Sequence, residues 1–67
     1  MQNSMVGRNI RRLRHERGVT QWQLACAIGC TTGALWMIEH GERECSPEQL
    51  RAIAKALNVT ENQIVGK

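Results

Sequence analysis

Four side chains in this sequence have the chemistry of a metal site: Cys26, Cys30, His40 and Cys45. A zinc tetrad can be drawn through them, yet their spacing matches none of the usual paired-ligand patterns. Three cysteines are also an odd number, which argues against a complete disulfide framework. Free thiols in a reducing compartment are the better reading, with no metal and no cofactor expected. No Ser–His–acid set and no paired carboxylates stand at catalytic spacing, so the residues do not read as an enzyme. What remains is charge. Residues 1–38 hold Arg8, Arg11, Arg12, Arg14 and Arg17 against the single acid Glu16, a balance of +4, while residues 39–67 come to −1. A basic end of this kind steers a domain to nucleic acid or an anionic surface, or simply keeps a helix face solvated.

The chain is 67 residues long, which leaves room for one small domain spanning 1–67. Phe and Tyr are absent, and 42% of the residues are apolar, enough for a helical core. No apolar run approaches the ~20 residues that cross a bilayer, and residues 1–5 lack the regions of a signal peptide. A cytoplasmic domain without a membrane partner is the expectation. Gly18, Gly29, Gly41 and Asn58 each follow a stretch of helical periodicity, and no stretch alternates like a strand. Residues 1–4 read as a flexible arm.

Five helices follow. The first, over 5–17, puts Val6, Ile10, Leu13 and Arg17 on one face and Arg8, Arg11, Arg12 and His15 on the other. Thr20 with Gln23 forms a capping box for a second helix over 21–28 that buries Leu24, Ala25 and Ile28. Thr31 caps a third over 32–40, with Leu35, Ile38 and Glu39 inward and Gly33, Trp36, Met37 and His40 outward. Ser46-Pro47-Glu48-Gln49 opens a fourth that buries Leu50, Ile53, Ala54 and Leu57. Thr60 through Gln63 repeats the box before a short last helix carrying Ile64 and Val65. Only about three residues around Gly29 join the second and third helices, which forces a steep crossing.

At this point the sequence resembles the lambda-repressor-like (Xre-type) helix-turn-helix family. Thr20-Gln21-Trp22-Gln23-Leu24-Ala25, Ile28-Gly29, Leu35 and Ile38-Glu39-His40-Gly41 carry the resemblance, which extends over roughly residues 5–65. It implies an all-α, five-helix, lambda-repressor-like DNA-binding domain, with the helix-turn-helix at about 20–40. It also implies roles. Gln21 matches a position that grips a DNA phosphate, and Thr31 a second phosphate or positioning contact. Thr32, Gly33, Trp36 and Met37 match positions that face the major groove, and Arg43 a backbone contact. Arg14 and Glu39 match a pair bridging the first and third helices.

Two features depart from the family pattern. The groove-facing run Thr32-Gly33-Ala34-Leu35-Trp36-Met37 has one hydroxyl and no amide or guanidinium, so base reading rests on Thr32, thymine methyls and DNA shape. Most of the positive charge also sits on the first helix, away from the usual groove-facing surface. The resemblance implies a sequence-preferring transcriptional regulator, a repressor on nucleoid DNA, that binds as a homodimer on half-sites about one helical turn apart. Ile64 and Val65 are the candidate dimer contacts. A dimer neutralising about eight phosphates would give log K a salt slope near −7. The alternative is an antitoxin-like or adaptor module whose Trp36/Met37 face binds a protein partner.

Overall fold

From the second helix on, each helix starts at a hydroxyl side chain, and every helix is followed at its end by a left-handed residue. Thr20, Thr31, Ser46 and Thr60 accept from the backbone N–H three residues on, which satisfies a donor the helix itself leaves open. Gly18, Gly29, Gly41, Asn58 and Gly66 hold positive φ. At the first four of these, the next residue's N–H reaches back five residues to a carbonyl, for example Cys30 to Ala25 at 3.0 Å, and caps the helix end. A computed structural model describes residues 2–66, residues 2–4 by their backbone alone. The helices are α1 (Gln2–Glu16), α2 (Gln21–Ile28), α3 (Thr32–Glu39), α4 (Pro47–Leu57) and α5 (Glu61–Val65).

Three boundaries differ from the sequence reading, one being the end of the first helix at Glu16 rather than at residue 17. Residues 2–4 are helical rather than an arm, because no Gly or Pro interrupts the backbone ladder there. Met1 lies outside the described residues. The third helix stops at Glu39, since His40 (φ −95°, ψ 5°) has left helical geometry.

α3 lies between α1 and α2, α4 packs on α2, and α5 closes the bundle against α1 and α4. Ile10, Leu13, Leu24, Leu35, Ile38, Ile53, Leu57 and Ile64 meet in one core. Full burial of each stabilises the fold by roughly 1.5–3 kcal/mol. Polar clasps tie the ends. Asn9 Nδ2 donates to the Ile64 carbonyl at 2.8 Å, holding α5 to α1. Arg17 is exposed rather than inward-facing, but its Nε donates to the Leu57 carbonyl at 2.9 Å. That carbonyl is at the C-terminus of α4, where the helix dipole favours a cation.

The buried Gly7 brings α1 against α3: a Cβ there would collide with the Ile38 and Glu39 carbonyls. Those carbonyls are backbone and cannot swing aside. Gly7→Ala should therefore lower the unfolding free energy by about 1–3 kcal/mol, the usual cost of overpacking. Gly33 has nothing within 4 Å of its would-be Cβ. Gly33→Ala should instead raise stability by about 0.8–1 kcal/mol through helix propensity. Urea unfolding of the two variants should shift in opposite directions; equal shifts would mean that α1 does not rest on α3 through Gly7.

Candidate nucleic-acid interface

The joint between α2 and α3 comprises Gly29, Cys30 and Thr31. Gly29 sits at φ 75°, a conformation costly for any residue with a Cβ. The turn delivers Thr31 to the cap of α3, where its Oγ1 accepts from Ala34 N at 3.0 Å. At the start of α2, Thr20 Oγ1 takes Gln23 N at 3.0 Å, and its carbonyl takes Leu24 N. Each first turn therefore keeps two donors free of intrahelical partners: the N–H groups of Gln21 and Trp22 in α2, and of Thr32 and Gly33 in α3. Paired with the helix dipoles, such donors attract anions.

A buried polar network fixes these two helices to each other and to α1. Arg14 Nε donates to Glu39 Oε2 at 2.8 Å, and its Nη2 to Glu39 Oε1 at 3.2 Å. Both residues are almost closed to solvent, at 8% and 3% exposure. Arg14 Nη1 donates to the Val19 carbonyl at 3.0 Å, just before α2. Gln21 Nε2 donates to Glu39 Oε1 at 3.1 Å. The bidentate fork suits Arg better than Lys, and the network leaves no buried side-chain polar atom unpartnered among the described residues. It also restricts Gln21. One N–H of the amide is turned inward, so the second amide N–H, the side-chain oxygen and the backbone N–H remain for an outside ligand.

The outer side of α3 presents Thr32, Gly33 and Trp36 to solvent, with Met37 half-buried beside them. Trp36 is 43% exposed and lies along the helix against His40, ring centroids 4.0 Å apart. His40 is thus engaged on this face. Among the described residues no group of three or more His, Cys, Asp or Glu is placed to hold a metal ion. Arg43 is exposed in the loop after α3, flanked by Glu42 and Glu44, with Glu48 sharing its groove near α4. Of the seven residues expected to meet DNA, only Arg43 carries charge.

The dimer expectation for Ile64 is corrected: its side chain is fully buried in its own protomer's core and has no surface to offer a second copy. Val65 is half-buried beside Val6, Ile38 and Leu50. Leu50, expected in the core, is also only half-buried, at its margin. The cysteines are free thiols, Cys26 exposed and Cys30 and Cys45 half-buried. Burial pushes the Cys30 thiol up, opposed in part by Arg43 nearby. Burial raises Cys45 further, to about 11. Sequence reasoning missed Gly7, Asn9 and the inward turn of Gln21. A glycine inside an otherwise helical stretch was the one available signal, and it marks a close backbone approach.

The model of a helix-turn-helix domain family matches residues 6–64. The chain is 34% identical over 61 residues to y4dJ, an HTH-type transcriptional regulator of Sinorhizobium fredii, covering 91% of this chain and 79% of that one. It is 33% identical over 63 residues to the antitoxin PezA of Streptococcus pneumoniae, covering 94% of this chain but only 40% of PezA's length. Among solved structures, the clp gene regulator ClgR of Corynebacterium glutamicum superposes with a TM-score of 0.94 at 29% identity, covering 97% of this chain and 69% of that chain. The restriction-modification controller protein C.AhdI of Aeromonas hydrophila gives 0.87 at 26%, covering 92% and 94%.

Removing one partner of the Arg14–Glu39 pair strands the other charge in the core. Arg14→Ala or Glu39→Ala should each cost about 3–5 kcal/mol, close to the whole stability of so small a domain. Replacing both with Met and Leu should cost much less. Additive losses in a double-mutant cycle would show that the two do not interact. The thiols give a second expectation. An alkylating agent at mildly alkaline pH should label Cys26 first and Cys45 last, read by mass spectrometry. Because the folded state raises the Cys45 pKa, it favours the protonated thiol; that contribution is present below about 9 and lost as pH rises towards about 11.

Proposed function

The chain belongs to the Xre-type helix-turn-helix family of DNA-binding regulators, and from that premise we propose that it is a sequence-preferring, double-stranded DNA-binding transcriptional repressor acting as a dimer on nucleoid DNA. The observation that carries this reading is the pair of neighbouring helix starts, each keeping two N–H donors and a nearby Gln21 or Thr31 side chain, with the start of α2 held to α1 and to the far end of α3 by the buried network. Those donors suit two phosphates of one strand, and with them engaged α3 enters the major groove. Thr32 then reaches a base edge, and Trp36 and Met37 lie against thymine methyls. The proposed dimer places two such helices on half-sites about one helical turn apart. It uses surface other than Ile64.

Four neutralised phosphates per subunit are too many for this surface. With Arg43 the one cation among the seven candidate residues, a dimer neutralises about two phosphates, and the slope of log K against log salt is near −2. Neutral donors do the rest of the gripping, and they position without reading sequence.

The exposed Trp36 favours one second reading: an antitoxin-like or adaptor module that buries this indole in a protein partner. Similarity to an antitoxin supports it, although the chain spans only 40% of that protein. Selection from random duplexes separates the two. The repressor reading expects a recovered inverted repeat bound with a slope near −2. Trp36→Ala should weaken the recovered site more than random DNA and leave the slope unchanged. A slope steeper than about −5 would move the contacts to other arginines. No enrichment, with Trp36→Ala abolishing a protein complex, would favour the adaptor.

A further inference from the structure

α1 turns a second surface to solvent, bordered by none of the seven candidate DNA-contacting residues. Arg8, Arg11, Arg12 and His15 line a shallow, open concavity of about 920 Å³, with Met5 at one end and Gly66 beyond α5. At 100° per residue, Arg11, His15, Arg8 and Arg12 lie roughly 60°, 100°, 120° and 160° round the helix from the inward-facing Arg14. The stripe is therefore centred a little over a quarter-turn from the side of α1 that meets α3. Its one acid, Glu16, pairs with Arg12 at 3.2 Å, and both side chains are more than half exposed. No acidic side chain among the described residues pairs with Arg8 or Arg11. The net positive charge of the chain is thus concentrated on a surface that the helix-turn-helix does not use.

We propose that this outer face of α1 is a docking surface for an acidic helical segment of a partner protein. Residues 8, 11, 12 and 15 follow the i, i+3, i+4, i+7 spacing of one helix stripe, which matches carboxylates at the same spacing on a facing helix. Arginine forks take carboxylates bidentately. Met5, 61% exposed beside them, adds an apolar contact, and Met and Arg are among the residues enriched at protein interfaces. A second copy does not fit, because a two-fold interface sets a patch against itself and would oppose Arg8 and Arg11 to like charges. Nor does a bilayer, which needs a broad apolar face where α1 has a single Met. A duplex is the competing occupant of this face, and duplex binding by the Arg8 and Arg11 variant separates it from the acidic helix.

The test uses the full chain and a labelled helical peptide with four Glu on one face and a Leu at the end of that stripe. A scrambled peptide of identical composition is the control, and fluorescence anisotropy reads binding. The ordered peptide should bind at least tenfold tighter than the scrambled one. Arg8→Gln with Arg11→Gln should weaken it at least tenfold, and Met5→Ala several-fold, with circular dichroism unchanged because all three side chains are exposed. Duplex binding by the double variant should stay within twofold of the parent. Equal binding of ordered and scrambled peptides would overturn the proposal by reducing the face to unspecific charge. So would a double variant that still binds the peptide, or one that loses duplex binding tenfold, which would make α1 a DNA surface.

Discussion

The arrangement of this domain depends on one carboxylate. Glu39, at the end of α3, accepts from Arg14 of α1 and Gln21 of α2, so three helices converge on two oxygen atoms. A charge buried to this degree is tolerated only when its lone pairs are filled, and here the core supplies the donors. The Coulombic gain offsets desolvation rather than exceeding it by much, so the pair is better understood as setting geometry than as adding stability. It sets a useful geometry. Arg14 also clamps the Val19 carbonyl, and Gln21 opens α2, so the network fixes the start of α2 against α1 and α3, and the turn at Gly29 then sets the start of α3 beside it.

In the proposed reading, that constraint would let a nearly uncharged surface bind an anion. The candidate interface has one arginine among three glutamates nearby, whereas α1 carries the arginine stripe on another face. Affinity built on backbone N–H groups and neutral side chains is less sensitive to salt than affinity built on cations. It is more sensitive to position, since a hydrogen bond weakens steeply with misalignment. A loosened Glu39 should then harm binding even where the fold survives. In the proposed reading, the separation of charge from the groove-facing helix would give the two surfaces different partners of the same sign.

Much of this was legible in the residues. Thr20, Thr31, Ser46 and Thr60 announced four helix starts because a hydroxyl before a periodic stretch has one efficient use, and Gly29 marked the turn because α2 must stop in a left-handed residue. The Arg14–Glu39 distance could not come from spacing, and the inward turn of Gln21 follows only once Glu39 is placed. Ile64 shows the opposite limit: an apolar residue on a terminal helix looks the same in sequence whether it faces a partner or its own core. Gly7 and Asn9 act through contacts with distant backbone carbonyls; a glycine inside a helical stretch hints at the first, and no local pattern reveals the second. The cysteines were ambiguous for a similar reason, since their roles depend on how deeply Cys30 and Cys45 are buried.

The central claim is that DNA meets the starts of α2 and α3 rather than the arginine face of α1. Titrating a ¹⁵N-labelled chain with the selected duplex and following its amide, indole and guanidinium resonances tests it directly. The account predicts that the amides of Gln21, Trp22, Thr32 and Gly33 and the Trp36 indole shift most, while Arg8 and Arg11 stay in place. Large shifts at Arg8, Arg11 and Arg12 with Thr32, Gly33 and Trp36 unmoved would contradict it.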